Sequence, residues 1–236
     1  MKIAVVNGTP ARGITFHMKR MLLEALGEGN SIWEFYPEQL PAFCTGCKSC
    51  FLRGEACCPH EKAVKPIWEA MMGADLLVFA YPVYALRAPA SIKSLLDHLC
   101  VHWMVHRPEP EMFSKTAIIL TNSVGAPNQA AQKDVRTSLS WLGVSRIYAC
   151  GAKMMGDIFW ESLSDQHYKM LERKTKNVAR RALSARAAAI GMSAKVALYF
   201  KMSKILHQRN LNAEDEPSLD NRFYLEKGWI KRKNPK

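Results

Sequence analysis

Short apolar segments alternate with amphipathic segments through the first 150 residues of the chain. Each apolar segment has the length and the β-branched content of a buried strand, whereas the segments between them repeat apolar residues at helical spacing. The predicted strands are 2–6, 31–36, 76–80, 116–121 and 144–149, and the predicted helices are 15–26, 61–72, 91–103 and 129–142. Crossovers of this length between apolar strands require parallel pairing, with helices on both faces of the sheet. The alternation therefore predicts a doubly wound α/β domain.

The last third of the chain has a different charge balance. Residues 169–236 hold 17 Lys and Arg against 6 Asp and Glu, whereas residues 1–168 hold 16 against 15. A long helix is predicted over 162–208, broken near Gly191. We therefore divide the chain into a domain at 1–160, which contains a Cys-rich loop at 42–59, and a basic helical extension at 161–236.

The basic extension allows two interpretations. Its cations and apolar residues are typical of a segment that binds an anionic membrane or nucleic acid. They are also typical of a helical arm that packs on its own domain or on a partner subunit, with its lysines in water. We favour the packing interpretation over peripheral membrane contact, and we do not expect nucleic acid as a partner.

The amino terminus runs directly into a predicted strand. It has no apolar segment followed by a small-residue cleavage site, so we expect a mature, cytoplasmic N-terminus. No uncharged stretch of the sequence approaches the ~20 residues that cross a bilayer.

The segment 7–15, NGTPARGIT, joins the first predicted strand to the first predicted helix. Its two glycines let backbone amides turn inward, and the helix that follows contributes its positive amino end. Thr9 and Thr15 add hydroxyls, and Arg12 adds a permanent cation. These are the groups of a phosphate-binding loop, although the spacing is neither a dinucleotide G-x-G-x-x-G nor a P-loop. An ordinary strand-to-helix turn with a capping threonine is the alternative.

Two further predicted strands end in segments rich in turn residues and hydroxyls. The segment YPVY at 81–84 follows the third strand, and TNSVGA at 121–126 follows the fourth. In an open parallel sheet, ligands bind outside the carboxyl ends of the strands, where the strand order reverses. Tyr84 alone would be a half-buried packing residue, but beside a phosphate loop it is a candidate wall for a stacked ring.

Five of the seven cysteines lie between positions 44 and 58. Without a secretory leader, such clustering indicates metal or redox chemistry rather than a disulfide framework. The spacing would let one loop hold a 4Fe-4S cluster. Its ligands would be Cys44, Cys47, Cys50 and Cys57, with Cys58 as an alternative to Cys57. A structural zinc site, a reversible disulfide and a motif without metal are the other interpretations.

The remaining candidate ligands are dispersed in the sequence. Cys100 falls on a helical stripe and Cys150 at a strand end, positions typical of small buried hydrophobic residues. The histidines at positions 60, 98, 102 and 106 have no metal-binding spacing. We expect each of them to have an ordinary core or surface role.

Together these segments resemble the flavodoxin-like NAD(P)H-dependent FMN reductases, and within them the iron-sulfur flavoproteins. The resemblance extends over nearly the whole chain. It rests on NGTP at 7–10, CTGCKSC at 44–50, AD at 74–75 leading into YPVY at 81–84, Ala90 with Lys93 and Asp97, and FYLEKGW at 223–229. It implies a five-stranded parallel sheet in the order 2-1-3-4-5, an FMN cofactor and NAD(P)H as co-substrate.

The resemblance also implies which residues contact FMN. Those expected on the phosphate are Thr9, Arg12, Thr15 and the amide of Phe16. Those expected on the isoalloxazine ring are Pro82, Val83, Tyr84 and Ala85, with Thr121, Asn122, Ser123 and Gly125 closing the other side. The loop departs from the family pattern at Ala11, where arginine is usual, and at Ile14, where asparagine is common. Arg12 as the phosphate cation is therefore an inference.

The expected activity is transfer of hydride or electrons between NAD(P)H and an acceptor, either a small molecule or a protein. Because the cofactor carries that chemistry, no side chain is nominated as a catalytic acid or base. Two other functions stay open. One is a ferredoxin-linked electron carrier with FMN and a 4Fe-4S cluster, and the other is a protein that binds an anionic surface through its basic helix. A homodimer or homotetramer is the expected assembly.

Overall fold

Five strands and a series of helices make up the computed structural model, which describes residues 1–155, 159–188, 191–213 and 216–232. The strands are β1 Lys2–Asn7, β2 Ser31–Phe35, β3 Leu76–Pro82, β4 Thr116–Ser123 and β5 Arg146–Lys153. The α-helices are α1 Ile14–Ala25, α2 Ser49–Arg53, α3 Glu61–Gly73, α4 Ala90–His98, α5 Gln129–Leu142, α6 Asp165–Ala187, α7 Ala194–Leu211 and α8 Leu219–Glu226.

All five strands run parallel, in the order β2-β1-β3-β4-β5. The predicted doubly wound α/β fold and its strand order are therefore confirmed. β3 and β4 are buried along almost their whole length because helices cover both of their faces. The register pairs Asn7 with Ala80 and Pro82 with Asn122, so β1, β3 and β4 end side by side at one edge of the sheet.

Several predicted boundaries differ from the structure. The helix predicted at 91–103 ends at His98 and continues only as a 3₁₀ turn, Leu99–His102. The helix predicted over 162–208 is two helices, α6 and α7; residues 189–190, next to the expected break, lie outside the described residues. α2 and α8 are absent from the prediction because they are short and lack a clear helical repeat. Among the described residues, no helix combines the length and the apolar character that crossing a bilayer requires.

Two hydrophobic cores lie on opposite faces of the sheet, because alternate residues of each strand point to opposite sides. α1 and α6 share one core with β1 and β3, through residues such as Met18, Leu22, Leu171 and Val178. α3, α4 and α5 cover the other face, where α7 also packs through Val196. The first helix of the predicted extension at 161–236 is thus part of the covering of the sheet.

A buried ion pair lies behind the loop that joins β1 to α1. Lys19 of α1 is almost fully buried, and its Nζ lies 2.5 Å from Glu34 Oε2 and 3.1 Å from the Tyr36 hydroxyl. The Tyr36 hydroxyl donates to the same carboxylate at 2.8 Å. Burial acts to raise the pKa of Glu34, but the hydrogen bonds from Lys19 and Tyr36 hold that pKa below its ordinary value. The pair fixes α1 against β2.

Replacing Glu34 with glutamine should make the unfolding free energy less sensitive to acid. The pKa of Glu34 is lower in the folded than in the unfolded state. Its contribution is therefore complete above the unfolded value of 4.5 and is lost as the pH falls through the folded value. We expect a loss of about 2 kcal/mol at pH 7, below the range for a fully buried pair because the Glu34 side chain is 28% exposed. Urea unfolding at a series of pH values measures the loss.

The matched control is Glu24→Gln, which removes an exposed ion pair between Glu24 and Arg20, 3.7 Å apart on α1. It should leave the unfolding free energy nearly unchanged, since exposed pairs contribute little. An equal loss in both variants, or a Glu34→Gln loss that persists in strong acid, would contradict this account of the buried pair.

Candidate functional site

The amino end of α1 opens at the carboxyl edge of the sheet with its amides uncapped. Gly13 occupies the N-cap position, where no side chain makes a capping hydrogen bond, and the first turn contains no acidic residue. His17 supplies the first amide that bonds along the helix, to the Gly13 carbonyl at 3.2 Å. The three preceding amides, of residues 14–16, have no acceptor within the helix. Together with the helix dipole they form a site for an anion.

The predicted phosphate-loop residues precede these amides in the chain or lie in the same turn of α1. Thr9 Oγ1 accepts from the Ala11 amide at 3.2 Å, which leaves the Thr9 hydroxyl proton available to a ligand. The Arg12 side chain is exposed, and its guanidinium lies 5.8 Å from the centre of the Phe16 ring in the first turn of α1. Thr15, in the same turn, is buried. The structure thus brings a hydroxyl and a cation to the uncapped end of the helix.

The segment after β3 forms a tight turn with unusual backbone angles. Tyr84 and Arg87 exchange two backbone hydrogen bonds, of 2.9 and 3.1 Å, around Ala85 and Leu86. Both central residues have positive φ, 46° and 63°, as in a type I′ turn that ordinarily favours asparagine and glycine. Tyr84 is 53% exposed, so its ring projects at the rim and is not a packing residue of the core. Backbone strain of this kind concentrates at ligand sites.

A carboxylate on α5 holds the turn. Asp134 accepts two hydrogen bonds from the Arg87 guanidinium, of which Nε to Oδ2 is 3.0 Å, and a third from the Ala88 amide at 3.2 Å. On the other side, the Val83 amide donates to the Asn122 carbonyl of β4 at 2.7 Å. Because a bidentate pair fixes the orientation of both partners, the turn is anchored at both of its ends.

The four residues predicted after β4 divide between the core and the edge. Thr121 is fully buried, and its Oγ1 accepts from Gln132 Nε2 of α5 at 2.7 Å. Ser123 is also buried; it donates to the Ala126 carbonyl and accepts from Asn128 Nδ2 at 3.1 Å. Both hydroxyls are engaged inside the protein and shape the loop from within.

Asn122 differs from its neighbours in this loop. Its Oδ1 is buried and has no hydrogen-bond partner among the described residues. A buried acceptor without a donor lowers stability until a ligand or a water supplies one. Gly125 follows with a φ of 77°, a conformation in which glycine avoids the strain of a side chain. Asn128, which follows this segment, likewise has a buried Oδ1 without a partner among the described residues.

The cysteine loop places its thiols unevenly. Cys44, Cys47 and Cys57 are exposed, whereas Cys50 and Cys58 are partly buried. Cys57 Sγ lies 3.6 Å from the Arg53 carbonyl within the loop. In the parts of the chain that the structure describes, no three Cys, His, Asp or Glu side chains are grouped so as to hold a metal ion. The predicted cluster ligands are therefore not assembled in this arrangement of the loop.

Two histidines that are distant in sequence meet beside the loop. His60 Nδ1 lies 3.0 Å from His98 Nε2, which is also 2.9 Å from the Ala42 carbonyl. Since a carbonyl only accepts, the neutral His98 ring carries its proton on Nε2 and presents the lone pair of Nδ1 to Cys58 Sγ, 3.7 Å away. The fold thus brings together two histidines that are 38 residues apart in the sequence, a contact that their spacing did not indicate.

A cavity of about 390 Å³ adjoins the cysteine loop. The His102 ring in its wall stacks on Trp68 with centroids 4.0 Å apart. Burial lowers the pKa of His102 to about 4, so this imidazole is neutral near pH 7. Arg107 closes the cavity by pairing with Glu55 of the loop and with Asp220 of α8.

Burial raises the pKa of the Cys150 thiol, in β5, to about 11, which agrees with the predicted core role of this cysteine.

The first 151 residues match the sequence profile of a single family, NADPH-dependent FMN reductase. The chain belongs to this family. The match ends within β5, so α6, α7 and α8 lie outside it.

Curated relatives of the NADPH-dependent FMN reductase chain include flavoproteins of two kinds. An iron-sulfur flavoprotein of Archaeoglobus fulgidus is 28% identical over 109 residues, 46% of this chain and 48% of that protein. An FMN-dependent NADH:quinone oxidoreductase of Azotobacter vinelandii is 29% identical over 114 residues, 43% of this chain and 57% of that protein. The chain thus matches about half the length of these two relatives. An iron-sulfur flavoprotein of Methanosarcina thermophila is 25% identical over 166 residues, 68% of this chain and 83% of that protein.

Solved structures share the fold at low sequence identity. An FMN-dependent NADH-azoreductase of Bacillus anthracis, in complex with FMN, superposes with a TM-score of 0.60 at 11% identity, over 77% of this chain and 99% of that one. An NAD(P)H:quinone oxidoreductase of Methanothermobacter marburgensis gives a TM-score of 0.57 at 15% identity, over 76% of this chain and 95% of that one. These likenesses show the flavodoxin-like fold of the family.

Sequence reasoning missed the residues that hold the candidate loops in place. Asp134 and Gln132 lie on α5 and act on loops that follow β3 and β4. The sequence offered one signal for Asp134: this acidic residue is the neighbour of Val135, a buried residue of the helix, so it lies next to the packed face. Its partner Arg87 gave no signal, because no periodicity links a turn residue to a helix 47 residues later.

Replacing Asp134 with alanine should loosen the turn at 84–87. The variant removes both bonds to the Arg87 guanidinium and the bond from the Ala88 amide, so the positive-φ residues lose the anchor that holds them. We expect amide hydrogen exchange to become several-fold faster at Tyr84 and Arg87, as for any segment that opens more often.

The control for this measurement is Asp97→Ala, which breaks the exposed pair between Asp97 and Lys93 on α4. It should leave exchange in the turn unchanged. If Asp134→Ala also leaves exchange unchanged, the α5 carboxylate does not hold the turn.

Proposed function

We propose that the chain is an FMN-dependent oxidoreductase that transfers hydride or electrons between NAD(P)H and an acceptor. The observation that carries the proposal is the uncapped amino end of α1, which opens beside the ends of β1, β3 and β4 with Arg12 at its rim. Amides and a cation in this arrangement suit a phosphate group. Membership of the NADPH-dependent FMN reductase family supports FMN as the molecule that carries that phosphate.

The residues at this edge fit the two ends of FMN. On the phosphate side, Thr9 offers a free hydroxyl proton, Thr15 a hydroxyl and Phe16 an amide, while Arg12 balances charge. On the ring side, Asn122 follows Thr121 at the end of β4, and its Oδ1 is buried without a partner among the described residues. The Thr9 hydroxyl and the first amides of α1 are in place before any ligand binds, so little reorganisation is required on the phosphate side.

The anchored turn forms the proposed wall of the ring site. Pro82 and Val83 are tied to β4 through the backbone, and Tyr84 projects from the rim. Ala85 lies at the strained centre of the turn. When bound, FMN supplies the hydride and electron chemistry. The protein binds, orients and shields the ring, and no side chain is assigned as an acid or base.

The proposal names the acceptor by its chemical class and the assembly as an oligomer of identical chains. The names of the relatives include quinone and azo acceptors, and these support a small molecule as the acceptor of this chain. We also propose that residues 1–160 bind the cofactor and that the protein acts as a homo-oligomer.

The iron-sulfur alternative has no support from the cysteine loop as it is folded. Cys57 turns to a carbonyl of its own loop and Cys58 to His98, and the described side chains form no metal-holding group. No electron transfer is therefore assigned to a cluster. The absorption spectrum of protein purified without air distinguishes the two functions. Flavin bands alone would support the reductase. A broad absorption shoulder with iron and sulfide would support the electron carrier.

Replacing Thr9 and Thr15 together with valine should weaken FMN binding about 100-fold. Each hydroxyl would lose a hydrogen bond of about 1.5 kcal/mol to a charged group, and the two losses add to about 3 kcal/mol. Valine preserves the volume of threonine, so the fold should survive. Fluorescence titration of FMN into the apoprotein measures the affinity.

The matched control is Thr137→Val, at an exposed position of α5 far from the loop in sequence. It should bind FMN as the unmodified protein does. Unchanged affinity in the Thr9→Val/Thr15→Val variant would contradict the phosphate assignment. A folded protein that takes up no FMN even in excess would contradict the proposed function itself.

A further inference from the structure

One face of α7 is apolar and exposed, while the opposite face packs on the domain. Leu198, Met202 and Ile205 are 54%, 58% and 61% exposed, and Leu206 is also exposed. Spacings of four and three residues place these side chains in one stripe along the helix. The buried residues of α7 are Val196, Ser203, His207 and Leu211. The helix thus has a second apolar surface that nothing in the described chain covers.

The charges of α7 all have the same sign. Its 18 residues contain Lys195, Lys201, Lys204 and Arg209 but no Asp or Glu. Lys201 and Arg209 are exposed beside the apolar stripe. Lys195 and Lys204 lie over the rings of Tyr199 and Phe200, with Nζ 5.4 and 5.1 Å from the ring centres. An exposed apolar stripe is therefore bordered by cations along its length.

We propose that α7 docks the protein on the surface of an anionic lipid bilayer. The stripe of Leu198, Met202 and Ile205 would enter the interface, and the cations would lie against lipid phosphates. An apolar stripe flanked by lysine and arginine is the pattern of helices that lie in the plane of a membrane.

The charge pattern favours lipid over a second copy of the chain. A symmetric interface places the same patch on both subunits, so two α7 helices would bring eight cations together with no acid of either helix between them. Nucleic acid would explain the cations, but its binding is dominated by phosphate contacts and gives no role to an exposed stripe of Leu, Met and Ile. An anionic bilayer accounts for both features.

Sedimentation of the full-length protein with vesicles tests the proposal. Phosphatidylcholine vesicles should bind weakly, and vesicles of phosphatidylcholine mixed with phosphatidylglycerol should bind strongly in a salt-sensitive manner. Met202→Ser/Ile205→Ser should lower the partition coefficient more than about tenfold, because it removes several methylene-sized groups from the interface. Lys201→Gln and Arg209→Gln should each lower it about fivefold. All four positions are exposed, so the variants should keep the unfolding transition of the unmodified protein.

The matched control is Lys62→Gln, which removes an exposed lysine of α3. It should bind anionic vesicles as the unmodified protein does. Equal binding to both kinds of vesicle, or binding unaffected by Met202→Ser/Ile205→Ser, would overturn the proposal. Absence of vesicle binding would also overturn it. In that case, conversion of a dimer into monomers by the serine variant, measured by sedimentation velocity, would assign the stripe to a subunit interface. Binding of duplex DNA would assign the cations to nucleic acid.

Discussion

Parallel pairing of β1, β3 and β4 is the constraint on which the candidate site depends. Because neighbouring strands run the same way, their carboxyl ends lie at one edge, and the segments after residues 7, 82 and 123 meet there. Each crossover helix returns the chain to the opposite edge, so these segments do not have to cross the sheet. The Gly8 amide, which donates to the Ala80 carbonyl at 2.9 Å, extends the pairing into the first loop.

The loops themselves are not self-supporting. The turn at 84–87 has two residues in a left-handed conformation that costs about 1 kcal/mol each, and it contains no glycine to lower that cost. Asp134 of α5 offsets this strain through its bonds to Arg87, and Gln132 of the same helix donates to the Thr121 hydroxyl oxygen. At the first loop, Lys19 and Glu34 fix the position of α1. The conformations of the loops at the carboxyl edge of the sheet are therefore fixed by residues that lie behind the loops.

The sheet could be predicted from sequence because its signal is local. Five apolar runs with helices between them leave few alternatives to a parallel sheet. The strand order came from the family resemblance rather than from this pattern, and it was confirmed. Contacts between side chains are not local. Alternation along β4 sends Thr121 and Ser123 into the core, yet the hydroxyls alone had marked both as edge residues. The pairing of His60 with His98 and the clamp on Arg87 depend on helix packing that no single segment encodes.

The carboxyl-terminal residues show how a distant segment shapes the cysteine loop. Arg107 is buried, and it binds Glu55 and the Cys50 carbonyl on one side and Asp220 of α8 on the other. A buried guanidinium needs all of these acceptors, because loss of one leaves charge unpaired in a poorly solvated site. Arg107 therefore joins the cysteine loop to α8. α8 in turn packs on α7 through the cluster of Leu211, Tyr224 and Ile230. Because α8 packs on α7 and also pairs with Arg107, contacts run from α7 through α8 to the cysteine loop.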